Sequence, residues 1–111
     1  MNQNQTTAEE QFENWQDTIE KCLDRLEAGK VLKRRRLIII KPNLVNDSPH
    51  PITTHPDMVR ALVEYIRRHS RARLVIAEGC GSARLETARV YAALGYDQLA
   101  REYGLDLIDL N

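Results

Sequence analysis

Apolar residues recur along the chain at changing intervals, and each interval predicts an element. Between Ala8 and Ala28 they fall at Phe12, Trp15, Ile19, Cys22, Leu23 and Leu26. Steps of three and four put these on one stripe, which predicts an amphipathic helix over 8–28. Acids crowd its start, where the helix dipole is positive, and Gly29 stands where a C-terminal cap belongs. Residues 1–7 are polar and predict a disordered tail. The pattern then changes to a consecutive run, Leu37-Ile38-Ile39-Ile40, rich in β-branched side chains. That predicts a strand over 37–41, buried on both faces as in a parallel sheet and stopped by Pro42.

A loop with Pro49 and Pro51 follows, and helical spacing returns at Val59, Leu62, Val63 and Ile66. A helix is expected over 56–69, with Pro56 in its first turn and Thr54 with Asp57 as a capping pair. Leu74–Ala77 forms the core of a second buried strand, 73–78. Helices are expected over 86–94 and 97–103, each ending before a glycine (Gly95, Gly104), and a third strand over 105–110. Strands alternating with helices predict parallel pairing with right-handed crossovers. The fold class is therefore α/β: a small three-layer-like unit with a parallel sheet of about three strands flanked by helices. Such a sheet leaves both edges open, so a protein partner, a second copy or a missing segment is expected to cover them.

With 111 residues the chain is long enough for one small domain, read here as 8–111. Runs such as Leu37–Ile40 are far too short to span a membrane, and the polar N-terminus does not resemble a signal peptide. No membrane association and a cytoplasmic location are expected. Two cysteines, Cys22 and Cys80, suit a reducing compartment. No CxxC or Cys/His cluster occurs, so a self-contained zinc or iron–sulfur site is not expected and no cofactor is assigned.

Charge balances overall but not locally. Residues 1–29 carry seven acids and two bases, whereas Lys30, Lys33, Arg34, Arg35 and Arg36 form a run without an acid. The balanced total argues against nucleic acid as the main ligand. The basic run Lys33–Arg36 could bind nucleic acid or an acidic partner, but it better suits a solvated segment pairing with the acidic first helix.

Open α/β sheets bind ligands at strand C-terminal ends, and two loops leave such ends here. The first is Lys41-Pro42-Asn43, joined by Thr53, Thr54 and His55 at a helix start. A lysine, an amide, hydroxyls and a helix N-terminus suit an anion such as phosphate or carboxylate. Equally, Lys41 could be a solvated gatekeeper, Asn43 a turn former and Thr54 a cap. The second loop is Glu78-Gly79-Cys80-Gly81-Ser82. Its glycines (Gly79, Gly81) let backbone amides approach a ligand, but neither GxGxxG nor GxxxxGK is present. Glu78 could act as a base or bind hydroxyls or a metal, or be a solvated acid. Cys80, just before a helix, is a weak nucleophile candidate without an assignable base, while Cys22 on the apolar stripe is expected to be buried. His55 is a ligand, proton carrier or cap; His50 and His69 read as surface residues.

Four segments in order resemble one family. They are Ile38-Ile39-Ile40-Lys41-Pro42-Asn43-Leu44-Val45, Thr53-Thr54-His55-Pro56, Ala77-Glu78-Gly79, and Gly95-Tyr96 followed by Arg101-Glu102-Tyr103-Gly104-Leu105. Over about residues 20–111 the chain resembles the N-terminal portion of the domain of unknown function 362 family. The resemblance implies a domain that continues for another hundred or so residues, with a loose redox or iron–sulfur association. It implies that Lys41, Asn43, Thr54, His55 and Glu78 line a pocket, of which this chain holds half. The leading expectation is a unit that binds an anionic small molecule between the two loops, with a partner completing the site. The alternatives are an interaction or structural module without a ligand, and an enzyme using Glu78 or Cys80.

Overall fold

In a computed structural model that describes residues 7–111, five helices and three strands alternate. They are α1 (Trp15–Arg25), α2 (Ala28–Leu32), β1 (Leu37–Ile40), α3 (Pro56–His69), β2 (Arg73–Glu78), α4 (Thr87–Leu94), α5 (Tyr96–Tyr103) and β3 (Asp106–Asp109). The tail expected over 1–7 lies, apart from Thr7, outside the described residues. From β1 onwards the expected boundaries hold to within one residue.

The first expected helix is the exception. It begins at Trp15, because the Asn14 side chain accepts the Asp17 N–H at 2.7 Å and caps the helix there. It stops after Arg25, where the chain passes through a left-handed residue, Glu27 (φ 55°), into α2. Gly29 is therefore not a cap but lies inside α2. A Cβ on it would sit 2.7 Å from Cδ2 of His69, so its bare backbone lets α2 close on α3. His69 is correspondingly half-buried rather than a surface residue. It stacks on Tyr65 at 4.2 Å, and its Nδ1 lies 2.9 Å from the Tyr65 carbonyl. Cys22 is partly exposed instead of buried, since α1 contributes no buried residue.

The strands run parallel in the order β1-β2-β3. Leu37 pairs with Arg73 and Ile40 with Ile76, while Val75 pairs with Asp106 and Glu78 with Asp109. Two right-handed crossovers stepping the same way across a sheet deliver their helices to one face. The core reflects this. Ile38, Ile40, Leu74, Ile76 and Leu107, at alternate positions, pack with Val59, Val63 and Ile66 of α3 and with Val90, Tyr96 and Leu99 of α4 and α5. Tyr96 and Leu99 are fully buried, and each such side chain contributes about 2–3 kcal/mol of hydrophobic stabilisation. Helices α1 and α2 pack on α3, where Tyr65 Oη donates to Asp24 at 2.7 Å.

The opposite face is open. Leu37 is 51 % and Ile39 57 % exposed, and Ile108 on β3 is 39 % exposed. The expectation that β1 is buried on both faces is thus corrected: no helix covers its outer side chains. Only β2, shielded by a strand on each side, is buried from Leu74 to Glu78.

Candidate functional site

The C-terminal ends of β1 and β2 bring the two candidate loops into contact. Lys41 Nζ donates to Glu78 Oε1 at 2.6 Å, and the Leu44 N–H donates to Oε2 at 3.0 Å. The Glu78 carboxylate is buried, with 6 % of its side chain exposed, while Lys41 remains 63 % exposed. Burial by itself would raise the Glu78 pKa. The Lys41 hydrogen bond, the amides of Leu44 and Gly79 and the Lys41 charge outweigh it and hold the group below the ordinary carboxylate range. Glu78 is therefore an ionised buried group rather than a solvated acid. An acid held in this way is a poor proton acceptor at neutral pH.

Asn43 and Thr54 also join, through the Asn43 backbone. The Asn43 N–H donates to Thr54 Oγ1 at 2.9 Å, and the Thr54 N–H donates to the Asn43 carbonyl at 3.0 Å. The Asn43 side chain is exposed. Thr54 is consequently not the cap of α3. That role falls to His55, whose Nδ1 accepts the Asp57 N–H at 3.0 Å. The His55 ring lies 5.6 Å from both Trp15 and His50, and it lines a cleft of about 460 Å³ with Pro49, His50, Thr53, Pro56, Ala93 and Leu94. Lys41 and Glu78 are not among that cleft's walls, so His55 stands beside the loop pair and not within it.

The second loop is tied down by its own polar atoms. The Cys80 N–H donates to Thr87 Oγ1 at 3.0 Å, and its thiol donates to the Val45 carbonyl at 3.5 Å. The Ser82 N–H donates to Cys80 Sγ at 3.4 Å, and Ser82 Oγ accepts the Arg84 N–H at 3.2 Å. Cys80 is 5 % exposed. Gly79 and Gly81 are needed for packing. A Cβ on Gly79 would lie 2.3 Å from Asn111 Oδ1, and one on Gly81 3.2 Å from Val45 Cγ2.

Two residues of this constellation escape a sequence reading. Asn111 donates through Nδ2 to the Cys80 carbonyl at 3.0 Å and to Thr87 Oγ1 at 3.3 Å. Thr87, 1 % exposed, is the buried hub between them. The rule that pointed to the ends of β1 and β2 applies to β3 as well, and Asn111 follows that strand. Thr87 carries no such signal. Among the described residues no group of three or more His, Cys, Asp or Glu side chains is placed to hold a metal ion. Nor, among the described residues, is any helix long and apolar enough to cross a membrane.

A three-stranded parallel sheet with helices on one face and interlocked loops at its strand ends defines an α/β unit of the open-sheet class. The chain belongs to the domain of unknown function (DUF362) family, whose model matches residues 38–111. The match spans β1 to β3 and both loops, whereas α1 and α2 precede it. No curated protein and no solved structure matches the chain.

Proposed function

We propose that the chain is a ligand-binding α/β unit whose site is the Lys41–Asn43 and Glu78–Ser82 loop pair, taking an anionic small molecule. The observation that carries this reading is the joining of the two loops around Lys41. Glu78 fixes the lysine's position while leaving it exposed, and an ammonium has further donors to offer a ligand. The exposed amide of Asn43 stands two residues away. Titration of the protein with inorganic phosphate, nucleotides and small carboxylates, followed by amide NMR shifts, tests it. Shifts over residues 41–55 and 78–82 are expected, and none there for any probe would defeat the reading.

A second reading rests on the open sheet face, where Leu37, Ile39, Ile108 and Leu110 are each between 39 % and 57 % exposed. On this reading residues 8–111 are one α/β unit corresponding to the N-terminal half of the family domain. The bare face then packs against the remainder of the fold, a partner chain or a second copy, in a non-catalytic role. Exposed apolar side chains gathered on one face of a sheet suit an interaction site. Both cysteines are free, which suits a cytoplasmic setting. Native mass spectrometry of the wild type and Ile39→Asp would test the second copy. A monomer unaffected by the substitution at every concentration would remove a second copy as the cover of this face.

A further inference from the structure

At the other end of the sheet, where β1 and β2 begin, a cleft of about 630 Å³ is lined by Lys33, Arg35, Arg36, Arg67, Arg68 and Arg71, together with His69, Ser70 and Ala72. No acid lines it. Among the described residues, five of these six cations make no ion pair, and Arg68 reaches Glu20 only at 3.9 Å. Among the described residues, six of the ten cations outside the cleft are paired, whereas Arg34, Arg84, Arg89 and Arg101 are not. Lys21, Arg25, Lys30, Lys41, Arg60 and Arg73 are each paired with a carboxylate. The expected pairing of Lys33–Arg36 with the acidic first helix does not occur: four of the seven acids of residues 1–29 pair instead with Lys21, Arg25, Lys30 and Arg68, and Asp24 accepts from Tyr65.

Helix-dipole compensation explains only part of the cluster. Arg67, Arg68 and His69 occupy the last turn of α3, where cations are favoured. Lys33, Arg35 and Arg36 come from the segment before β1, and Arg71 from the turn before β2. The spacing of the two segments is fixed, since the Arg73 N–H donates to the Arg36 carbonyl at 2.8 Å and the β1–β2 ladder starts there. Like charges are thus held together on a rigid frame, and the nearest acids, Glu20 by Arg68 and Asp24 and Glu27 in an adjoining cleft, lie outside its lining.

We propose that this cleft binds a compact polyanion, a small molecule carrying several adjacent phosphate groups. Guanidinium forks match phosphate oxygens in pairs, and several forks around one cleft select multiply charged ligands over single anions. The volume lies in the range of small-molecule sites. A single-stranded nucleic acid is less well suited, because base stacking needs aromatic platforms and the lining offers one imidazole. A membrane surface would require cations spread over a plane rather than around a hollow.

The test uses the full chain with inorganic tripolyphosphate as the probe. Orthophosphate and a single-stranded oligonucleotide serve as comparators, read by calorimetry and amide NMR. Tripolyphosphate is expected to bind at least about tenfold more tightly than orthophosphate, and the difference should shrink from about 50 to 150 mM salt. Its amide shifts should fall on residues 33–36 and 67–72 and spare 41–45 and 78–82. The double variant Arg36→Gln/Arg71→Gln should lose at least about tenfold in affinity, as should Lys33→Gln/Arg67→Gln, with unchanged circular dichroism. Equal binding of the two phosphates, or unchanged affinity in both double variants, would overturn the proposal. So would tighter binding of the oligonucleotide than of tripolyphosphate, which would mark a nucleic-acid surface. Shifts confined to 41–55 and 78–82 would also overturn it while supporting the loop-pair site, so the two readings fail separately.

Discussion

The two ends of the parallel sheet handle charge in opposite ways. At the C-terminal end the polar groups of the loops are bound to other parts of the fold: Lys41 to Glu78, Glu78 to Leu44, Cys80 to Thr87, and Asn111 to both Cys80 and Thr87. At the N-terminal end six cations line one cleft, and five have no partner among the described residues. The difference follows from burial. A group removed from water must be satisfied or it costs stability, whereas an exposed cation is satisfied by solvent. Strand topology therefore indicates where a ligand commonly sits, and unmatched charge indicates what the ligand would bring.

The comparison breaks most easily at Glu78. Glu78→Ala removes the acceptor of the Leu44 N–H and the partner of Lys41, and losing a buried charged hydrogen-bonding group costs about 3 kcal/mol. Arg36→Ala, at the exposed end, is expected to change stability by no more than about 0.5 kcal/mol. Urea unfolding of the two variants measures both values, and comparable losses would show that the ends are not differently built. A smaller effect is expected from Gly79→Ala. The added methyl would displace Asn111, a side chain that can swing away, so the loss is that of its bonds to Cys80 and Thr87. That amounts to about 1–2 kcal/mol, visible as a lowered thermal midpoint.

The ionisation of Glu78 sharpens the contrast through pH. Its folded pKa lies below the ordinary value of 4.5, so the unfolded chain takes up the proton first as pH falls. The stabilisation is complete above the ordinary glutamate range and is lost as pH falls through the folded value. Denaturation between neutral pH and the acid range should therefore show the wild type losing its advantage over Glu78→Gln below the ordinary value. A constant gap between the two across that range would contradict the Lys41–Glu78 assignment.

Much of this architecture is legible in the sequence, for identifiable reasons. The alternation of Ile-rich runs with helical spacing fixes the parallel sheet, and Gly95 and Gly104 mark helix ends because both take positive φ. The strand-end rule finds the loop pair. What is not legible depends on contacts distant in the chain. The role of Gly29 is set by His69, forty residues away, and that of Gly79 by Asn111. The one-sided cover of β1 follows from both crossovers landing on the same face, which the apolar run Leu37–Ile40 cannot reveal. The basic run at Lys33–Arg36 is plain in the sequence, but its meeting with Arg67, Arg68 and Arg71 depends on the β1–β2 register.

The smallest expected effect tests the exposed end most directly. Five unpaired cations in one cleft repel one another, weakly because water and salt intervene. Removing two of them, in Arg36→Gln/Arg71→Gln, should raise the thermal midpoint at low ionic strength by about 1–2 °C and leave it nearly unchanged in high salt. A gain at low salt in a variant that loses tripolyphosphate binding would place the cost of the cluster in the free protein and its use in the bound one. A loss of stability would instead mean that Arg36 and Arg71 support the fold through packing of their stems, and the two ends of the sheet would then differ less than their ion pairs imply.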